Sequence, residues 1–471
     1  MRYLLPLLFC IPLVLPGQYG VGTGPANRLY QMSCASCHGA DMDGGLGGSL
    51  VDDVWNHGSS DEDIARVIRE GIPDMGMQAY AEVFSEEQIR SLVILIRERG
   101  RIARENEIER QALPQEGRFS SSLHDFQLEK VAEQPGILWG IDALPDGRFL
   151  VTEKSGSLWI LDGRDWRGPV KGIPKVWNRG QGGLMEVAVH PRYTENGWIY
   201  LAFSEKGRGG GMTAIVRGRL NGLRWTNEEE IFRVPPKMNL NTGFHFGTRI
   251  VFQDEYLFFS IGDRGRQDLA QELDNPCGKV HRIHEDGRIP DDNPFVDTPG
   301  AFPSIWSYGN RNPQGLAAHP ETGDLWESEH GPRGGDEINR ILPGRNYGWP
   351  VITHGMNYNG TPLTAFTAME GMEQPAHFWT PSIAVCGIAF YSGSVFPRWS
   401  GDLFAGGLVT EQLHRLRIRE GRVVEDEIII VGQGRVRDVF NGPDGHLYLL
   451  LENRSTKRAG VYRLNAASGT N

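Results

Sequence analysis

Residues 34–38 read Cys-Ala-Ser-Cys-His, which brings two thiols and an imidazole together within five positions. This spacing lets both thiols form thioethers with the vinyl groups of a haem and leaves the histidine beneath the iron as an axial ligand. A redox-active Cys-x-x-Cys needs a thioredoxin-like βαβ context, and a zinc site needs two more ligands nearby. Neither is present, so the sequence predicts a covalent c-type haem held by Cys34, Cys37 and His38.

The sixth iron ligand is expected some tens of residues farther along, where Met42, Met75 and Met77 are the candidates. Met42 is too close to the attachment segment to reach the opposite face of the haem. Residues 76–80 precede a helix start and resemble the Met-Pro-Ala-Phe segment of small class I cytochromes c, with Gln78 where proline is common. We therefore predict Met77 as the ligand and keep Met75 as the alternative. The other interpretation of either methionine is packing against the haem edge.

The residues around these ligands have the pattern of a small helical domain. Ser60 precedes one apolar stripe at helical spacing, and Ser85 precedes another, with Gln88 completing a capping box. Gly100 follows the last apolar position and predicts the end of that helix. Residues 24–100 are therefore expected to form an all-α cytochrome c domain.

The chain begins with a short basic start and a charge-free apolar run over residues 3–16, which contains three prolines. This run is too short to span a bilayer and is typical of a secretory signal. We assign residues 1–20 to the signal and place its cleavage between Gly17 and Gly22, with an uncleaved anchor as the alternative. The mature protein is thus expected to be periplasmic or secreted, with no membrane span.

Composition narrows the classes of partner and of covalent cross-link. The 48 Lys plus Arg and 59 Asp plus Glu give a formal net charge of −11. An acidic protein of this kind is a poor candidate for binding nucleic acid, because the phosphates require a basic surface. Beyond the signal and the haem motif, only Cys277 and Cys386 remain. They are either a disulfide pair or two separate buried thiols.

From residue 125 to 466 the sequence changes to short alternating strands separated by Gly, Pro and Asp turns, after a charged, patternless linker over 101–124. One degenerate strand–turn–strand unit recurs six times, at residues 139–153, 184–203, 246–263, 313–331, 386–407 and 437–453. Repeated units of this kind predict an all-β six-bladed β-propeller. A large β-sandwich is the alternative, but it needs no repeating unit.

Several polar residues of the larger domain are of types that do chemistry. His245 lies between two phenylalanines, where a neutral imidazole could take a proton from a substrate hydroxyl, although alone it is more often structural. Arg311 and Asn312 open a strand, and Arg435 and Arg437 face the same side of another. Together they could hold a multiply anionic ligand, unless the arginines simply pair with surface acids.

The turn over residues 329–337 combines Gly, Pro and acidic residues. Exposed carbonyls and carboxylates are ligands that Ca²⁺ prefers, so the turn is either a calcium site or a plain acidic turn.

Six segments of the larger domain carry a resemblance to a known family. They are GQGGLMEV (180–187), FHFGTRIVF (244–252), SYGNRNPQGL (307–316), EHGPRGGDEINRI (329–341), GRNYGWP (344–350) and GRVRDV (434–439). Residues 126–464 resemble the soluble quinoprotein aldose sugar (glucose/sorbosone) dehydrogenases, which are six-bladed propellers that bind pyrroloquinoline quinone.

The resemblance implies a role for each matching residue. His245 matches the general base. The carbonyls of Gly331 and Pro332 match ligands of a Ca²⁺ that also touches the quinone, and Glu337 and Tyr347 match a further calcium-binding pair. The residues that match the lining of the quinone site are Gln181, Arg311, Asn312, Arg435 and Arg437.

One segment departs from the family pattern. The family has a Gly-Ala-Leu-Lys strand whose lysine contacts the quinone, whereas residues 406–409 read Gly-Gly-Leu-Val. No lysine occurs between Lys279 and Lys457, so a shifted alignment cannot restore it. Arg415 is the candidate substitute.

The sequence thus predicts an exported quinohaemoprotein that oxidises an aldose or a related sugar, alcohol or aldehyde to the lactone or acid. Electrons would leave through the haem to an external acceptor, a cytochrome or the quinone pool. The alternative is a non-catalytic propeller that binds carbohydrate or protein and is tethered to an electron-transfer cytochrome c.

Overall fold

A computed structural model describes residues 24–110 and 117–467 of the chain. The expected export signal, residues 1–20, lies outside the described residues. The chain divides into two compact units, residues 1–107 with 356–363, and residues 108–355 with 364–471. Among the described residues, no helix is both long and apolar enough to cross a bilayer.

The first unit is helical, as predicted. The predicted capping box is present, since the Ser85 backbone N–H donates to Gln88 Oε1 over 2.9 Å. The predicted helix start at Ser60 is also present, and there Ser60 and Asp63 form a second capping box. The apolar stripes of these helices are buried. The helices are α1 (Pro25–Ser33), α2 (Ala35–His38), α3 (Asp61–Glu70) and α4 (Glu86–Arg110), with a 3₁₀ turn at Pro73–Met75.

The predicted helix end at Gly100 is wrong, because α4 continues to Arg110. A glycine in a helix interior costs only about 1 kcal/mol, and the following residues include good helix formers. Arg104 also fixes this extension, since its Nη1 lies 2.6 Å from a carboxylate oxygen of Asp53. The segment expected to be a patternless linker therefore begins as helix.

The described residues of the second unit form 25 strands in six antiparallel sheets. The strands are β1 (Arg118–Ser120), β2 (Asp125–Pro135), β3 (Leu138–Ala143), β4 (Phe149–Glu153), β5 (Ser157–Asp162), β6 (Asp165–Arg167), β7 (Leu184–Val189), β8 (Ile199–Gly207), β9 (Gly210–Asn221), β10 (Arg224–Phe232), β11 (Ile250–Gln253), β12 (Tyr256–Ile261), β13 (Lys279–His284), β14 (Ile305–Tyr308), β15 (Pro313–Ala318), β16 (Leu325–Glu329), β17 (Asp336–Ile341), β18 (His377–Trp379), β19 (Val385–Phe390), β20 (Leu403–Gly407), β21 (Gln412–Arg419), β22 (Arg422–Val431), β23 (Arg435–Asn441), β24 (Leu447–Asn453) and β25 (Arg458–Ala466). A short helix, α5 (Tyr193–Asn196), and 3₁₀ turns at Pro236–Met238, Gln267–Ala270 and Pro397–Trp399 lie in the connections.

The sheets are the blades of a closed ring. The first strands of successive blades, β3, β7, β11, β15, β19 and β23, each contact the next, and β23 returns to β3. The sixth blade combines both ends of the unit, because β2 pairs with β25 in the sheet β1-β2-β25-β24-β23. The predicted six-bladed propeller is confirmed, and the sandwich alternative is excluded.

Each predicted repeat forms the first two strands of one blade. A cavity of about 300 Å³ is lined mainly by the carboxyl-terminal halves of the six first strands. Their amino-terminal ends meet at the other end of the ring. The residues that precede those ends are the ones predicted to do chemistry.

Candidate active site

Six predicted residues lie where the first strand of a blade begins. Gln181 precedes β7, His245 precedes β11, and Arg311 with Asn312 precede β15. Arg435 and Arg437 are the first and third residues of β23. The propeller thus brings residues from four blades to one end of its ring. Their family roles remain predictions, but the convergence itself is a property of the fold.

His245 is held in an uncommon backbone conformation, with a φ of +50°. Its backbone N–H donates to Gln181 Oε1 over 2.7 Å. Gln181 reaches this position because Gly180 lies against Gly243, where a Cβ atom would come 2.3 Å from the Gly243 carbonyl oxygen. A substitution at Gly180 would therefore separate the two segments.

The imidazole of His245 is oriented by Asp263, which lies two residues after the end of β12. Nδ1 of His245 lies 2.6 Å from Asp263 Oδ1. The Asp263 carboxylate also accepts from Trp349 Nε1 at 2.8 Å and from the Gly265 N–H at 2.6 Å. Because a carboxylate can only accept, the His245 proton resides on Nδ1 and the lone pair on Nε2. The side chain is 13% exposed, which leaves an edge of the ring accessible to a substrate.

The electrostatics keep this imidazole neutral. Burial lowers the pKa of His245, and the positive charge of Arg311 lowers it further, against the opposing effect of Asp263. Burial alone would raise the pKa of Asp263, but its hydrogen bond to His245 and nearby positive charges hold that pKa below its ordinary value. A neutral imidazole paired with an ionised carboxylate is the arrangement of a general base.

Arg311 connects this pair to the turn after β16. Its Nη1 donates to the carbonyls of His330 and Gly331 at 2.8 and 2.7 Å, and its guanidinium lies 5.3 Å from the Trp349 ring centre. Asn312 Oδ1 accepts weakly from the Gly247 N–H at 3.4 Å. Trp349 thus contacts both Asp263 and Arg311.

His330 lies within the field of the whole cluster. Burial, followed by the positive charges of the surrounding arginines Arg311, Arg437 and Arg435, holds its pKa well below the ordinary value. Its buried Nε2 makes no hydrogen bond to a described residue. The positive charges of Arg311, Arg435 and Arg437 therefore all act on the neutral imidazole of His330.

Arg435 and Arg437 share a single carboxylate. Arg437 Nη2 donates to Glu452 Oε2 at 3.1 Å, and Arg435 Nε lies 3.4 Å from the same oxygen. The Arg437 guanidinium lies 4.3 Å above the Trp139 ring. Burial and the like charge of Arg437 lower the pKa of Arg435 to about 10. In the described part of the chain, both buried Nε atoms lack a hydrogen bond, so the pair retains donor capacity for an anion.

The segment that departs from the family pattern lies beside Arg435, whose Nη1 donates to the Leu408 carbonyl at 3.0 Å. Val409 is 59% exposed. Arg415 cannot substitute for a lysine here, because it is fully buried in an ion-pair cluster with Asp402, Glu425 and Glu427. That expectation is wrong.

A lysine from another blade lies nearer to the cluster. Lys154 accepts from the Leu184 N–H through its carbonyl and donates its own N–H to the Ile137 carbonyl, so it lies at the starts of β3 and β7. Its Nζ donates to Asn178 Oδ1 at 2.8 Å. Burial lowers the pKa of Lys154, and so does the charge of Arg437.

The predicted calcium ligands fall in two places. The Gly331 carbonyl accepts from Arg311, and the Pro332 carbonyl accepts from Ser382 Oγ at 3.0 Å. The Tyr347 hydroxyl donates to the Arg340 carbonyl at 2.6 Å. Glu337 lies on β17, where Asn339 Nδ2 donates to it at 3.2 Å.

Glu337 borders a buried group of oxygen atoms. Glu327 and Glu329 lie on the same face of the blade, and burial followed by repulsion between the carboxylates raises both pKa values well above the ordinary range. Glu327 Oε1, Asn310 Oδ1 and Asn339 Oδ1 are buried without a hydrogen bond to a described residue. Across residues 24–110 and 117–467, however, no three His, Cys, Asp or Glu side chains form a ready metal site.

In the helical unit, the predicted haem ligands lie around a tight loop. His38 Nδ1 lies 2.8 Å from the Gly48 carbonyl, which can only accept, so Nε2 carries the lone pair. A Cβ atom on Gly47 would come 2.7 Å from the His38 ring, so only glycine permits this packing. Met77 is fixed by backbone bonds to Ile72 in both directions and is half-buried, whereas Met75 is 73% exposed.

The remaining cysteines, Cys277 and Cys386, are both buried and both free. The alternative of two separate thiols is therefore the one observed.

Sequence reasoning missed Asp263, Trp349 and Glu452. Asp263 stands between two glycines directly after a predicted strand, in the Gly-Asp-Arg-Gly run at residues 262–265, and that position was the available signal. Trp349 belongs to the GRNYGWP segment, but its contact with Asp263 joins loops of two different blades and cannot be read from that segment. Glu452 lies opposite Arg435 in the β23–β24 pairing, and that register was not predicted.

Comparison with known proteins agrees with this architecture. The sequence profile described as glucose/sorbosone dehydrogenase matches residues 132–463, and that of cytochrome c oxidase, cbb3-type, subunit III matches residues 24–96. Aldose sugar dehydrogenase YliI of Escherichia coli K12 is 43% identical over 327 residues, which cover 67% of this chain and 87% of that protein.

Solved structures show the same likeness. The apo-form soluble aldose sugar dehydrogenase of E. coli superposes with a TM-score of 0.69 at 38% identity, covering 73% of this chain and all of that one. The PQQ-bound aldose sugar dehydrogenase of Streptomyces coelicolor gives 0.57 at 26% identity, covering 72% of this chain and 98% of the other. With a helical region of cytochrome c type ahead of its propeller, the chain belongs to the glucose/sorbosone dehydrogenase family.

Proposed function

We propose that the protein is a quinohaemoprotein dehydrogenase that oxidises an aldose, or a related sugar, alcohol or aldehyde, to the lactone or acid. The observation that carries the proposal is the Asp263–His245 pair, which presents a neutral base next to Arg311. The relatives named above are aldose sugar dehydrogenases, which supports the substrate class.

The chain's own residues supply the proton chemistry. Nε2 of His245 takes the proton of the anomeric hydroxyl while the C1–H bond breaks and the C1–O bond becomes a carbonyl. Asp263 keeps Nδ1 protonated and stabilises the imidazolium that forms. The hydride acceptor for that C1–H bond would be supplied by pyrroloquinoline quinone. General-base catalysis of this kind accelerates the reaction about 10²–10⁴-fold.

The residues present fit pyrroloquinoline quinone, a polyanionic planar cofactor. Arg435 and Arg437 have one carboxylate between them and buried Nε donors without an acceptor in the described chain. Lys154 adds positive charge from blade one, which partly offsets the valine at position 409. Gln181 and Asn312 would complete the polar lining. The PQQ-bound relative supports this assignment.

Calcium fits one of its two expected places better than the other. The oxygens around Glu337, with unbonded atoms of Glu327, Asn310 and Asn339, are the donor set that a hard cation prefers. At Gly331 and Pro332 the Arg311 guanidinium already bonds one of the two carbonyls, so Ca²⁺ there would require it to turn aside. We propose that calcium binds at Glu337 and keep the Gly331–Pro332 site as a prediction. The Tyr347 hydroxyl is already bonded, which leaves its carbonyl as the available ligand.

The helical unit fits a covalent haem. Cys34 and Cys37 would form the thioethers, and His38 would offer its unprotonated Nε2 as an iron ligand. Met77, fixed by its bonds to Ile72, is the proposed sixth ligand. The haem would pass the two electrons one at a time to an external acceptor, a cytochrome or the quinone pool. We propose an exported, periplasmic or secreted location for this exchange.

The test is the haem spectrum of the full-length protein with pyrroloquinoline quinone, Ca²⁺ and a panel of sugars, alcohols and aldehydes. We expect the ferrous haem bands only when the quinone and a substrate are both present. If the quinone binds but no member of the panel reduces the haem, the propeller is a binding module and the proposal is wrong. The same panel is measured after exhaustive chelation and again after Ca²⁺ is returned. This comparison tests whether haem reduction by the substrate depends on calcium.

A further inference from the structure

Arg264, next to Asp263, is fully buried and bonded to main-chain carbonyls. It donates to the Thr242 carbonyl at 3.0 Å, to the Gly211 carbonyl at 3.2 Å and to the Phe244 carbonyl. Its guanidinium carbon lies 3.3 Å from the centre of the Phe246 ring. Three of these four partners flank His245 within three residues.

Burying the charged Arg264 side chain at this position carries a large desolvation cost. In the described chain its side chain forms no ion pair with a carboxylate, and burial lowers the pKa of Arg264 to about 10. A buried charge without a counterion is tolerated only where hydrogen bonds replace its hydration. The carbonyls of the His245 segment do so here, which couples the arginine to that segment.

We propose that Arg264 is a positioning residue that clamps the backbone leading into His245, packs on the ring of the following Phe246, and so holds the imidazole against Asp263. The inference rests on the proposed role of His245 as the base. The clamp is reciprocal, because the Thr242 hydroxyl donates to the Arg264 carbonyl at 2.6 Å. One turn therefore supplies both the carboxylate that orients the imidazole and the cation that fixes its backbone.

The contacts of Arg264 hold a strained stretch of main chain at His245. His245 has a φ of +50°, which non-glycine residues rarely adopt, so the segment needs contacts that keep it there. The hydrogen bond from the His245 N–H to Gln181 fixes one side. Arg264 fixes the Thr242 and Phe244 carbonyls that precede His245 and lies against the Phe246 ring that follows it.

Arg264 also acts on the charge of the base. The groups that face His245 are Asp263, Arg311, Arg264 and the neutral His330. The positive charge of Arg264 lowers the pKa of His245 together with that of Arg311. Removing it would raise this pKa, so the imidazole would remain protonated, and inactive as a base, to higher pH.

Two variants separate positioning from charge. Arg264→Met removes the donors and the charge, whereas Arg264→Lys keeps the charge but cannot bridge three carbonyls. Arg266→Met, an exposed arginine two residues away, is the matched control. The readouts are haem reduction by sugar, the pH profile of kcat/KM, and the His245 titration in the quinone-free protein. That titration follows ¹³C-labelled histidine, with the His245 signal identified by its loss in His245→Gln.

We expect kcat to fall by up to about a hundredfold in both Arg264 variants, the scale of misplacing a reacting group. The acidic limb and the His245 titration should shift to higher pH in Arg264→Met only. Unchanged kcat in Arg264→Lys overturns the clamp, even if Arg264→Met fails to fold. If the parent itself binds no quinone, the proposed function fails, and the His245 titration in the quinone-free protein still decides whether Arg264 acts on the base.

Discussion

Asp263 Oδ1 lies 2.6 Å from Nδ1 of His245, although the two residues come from different segments on either side of the β11–β12 hairpin. Ile250 pairs with Phe259 at the open end of this hairpin, so the segments that precede β11 and follow β12 lie side by side. The hairpin thus makes a dyad of two residues that are unremarkable when read singly.

His245→Gln should lower turnover by about 10²–10⁴-fold, because it removes the base while keeping side-chain size. Binding of pyrroloquinoline quinone should stay nearly unchanged. Pre-steady-state haem reduction by sugar measures the chemical step. A variant that reduces its own haem as fast as the parent would show that His245 is structural. Loss of the quinone would instead indicate that His245 shapes the cofactor site.

Asp263→Asn should lower turnover while preserving the hydrogen-bond geometry. The amide NH₂ can donate to Nδ1, which would move the imidazole proton to Nε2 and abolish the base. Loss of the carboxylate also removes the effect that raises the pKa of His245, so any residual activity should have its acidic limb at lower pH. The pH dependence of kcat/KM measures this. A limb that moves to higher pH would contradict the assignment.

Arg435→Gln and Arg437→Gln should each weaken quinone binding. A hydrogen bond to a charged group is worth about 1.5–3 kcal/mol, so we expect roughly ten- to a hundredfold weaker binding from each change. Lys154→Met should give a smaller loss, because its Nζ already bonds Asn178. Equilibrium dialysis with the quinone-free protein measures all three, with the exposed Arg454→Gln as control. Equal binding by parent and variants would remove these residues from the cofactor site.

Met77→Ala should lose the low-spin, methionine-ligated haem spectrum, and Met75→Ala should retain it. The reason is geometric, since Ile72 fixes Met77 by two backbone hydrogen bonds while Met75 is exposed on the intervening turn. Visible and near-infrared absorption of the oxidised protein distinguishes them. The opposite pattern would assign the ligand to Met75.

Asp142 should make the protein less stable as the pH rises. Burial raises the pKa of Asp142 from 3.8 to about 7. The folded state therefore binds the extra proton between these values, so stability falls as pH increases through that window. Asp142→Asn carries no such charge and should lose less stability between pH 5 and pH 8 in urea unfolding. An identical loss in this variant and in the exposed control Asp165→Asn would refute the assignment.

Local patterning was sufficient for the fold. The six strand–turn–strand repeats are recognisable because a Gly, Pro or Asp turn separates two short strands in each. The predicted end of α4 is wrong because a glycine in a helix interior costs only about 1 kcal/mol, which the helix-forming residues after Gly100 offset.

The site was recoverable only where a residue lies at the start of a first strand. His245, Arg311 and Arg435 were found in that way. Lys154 reaches the same place from the turn after β4 of a neighbouring blade. Glu452 lies opposite Arg435 on the second strand of the same blade, and its role depends on the β23–β24 register. Arg415 was misjudged because composition does not show that three carboxylates already surround it.

The pairing of β2 with β25 has a consequence for how the chain acquires its structure. The strand that emerges early from the ribosome must wait for the last one, so the ring cannot close until nearly the whole chain has been made. Contacts so distant along the chain form slowly, and until then β2 has an unsatisfied edge that is prone to self-association. The propeller is thus expected to depend on protection of nascent chains and to tolerate loss of its final strand poorly.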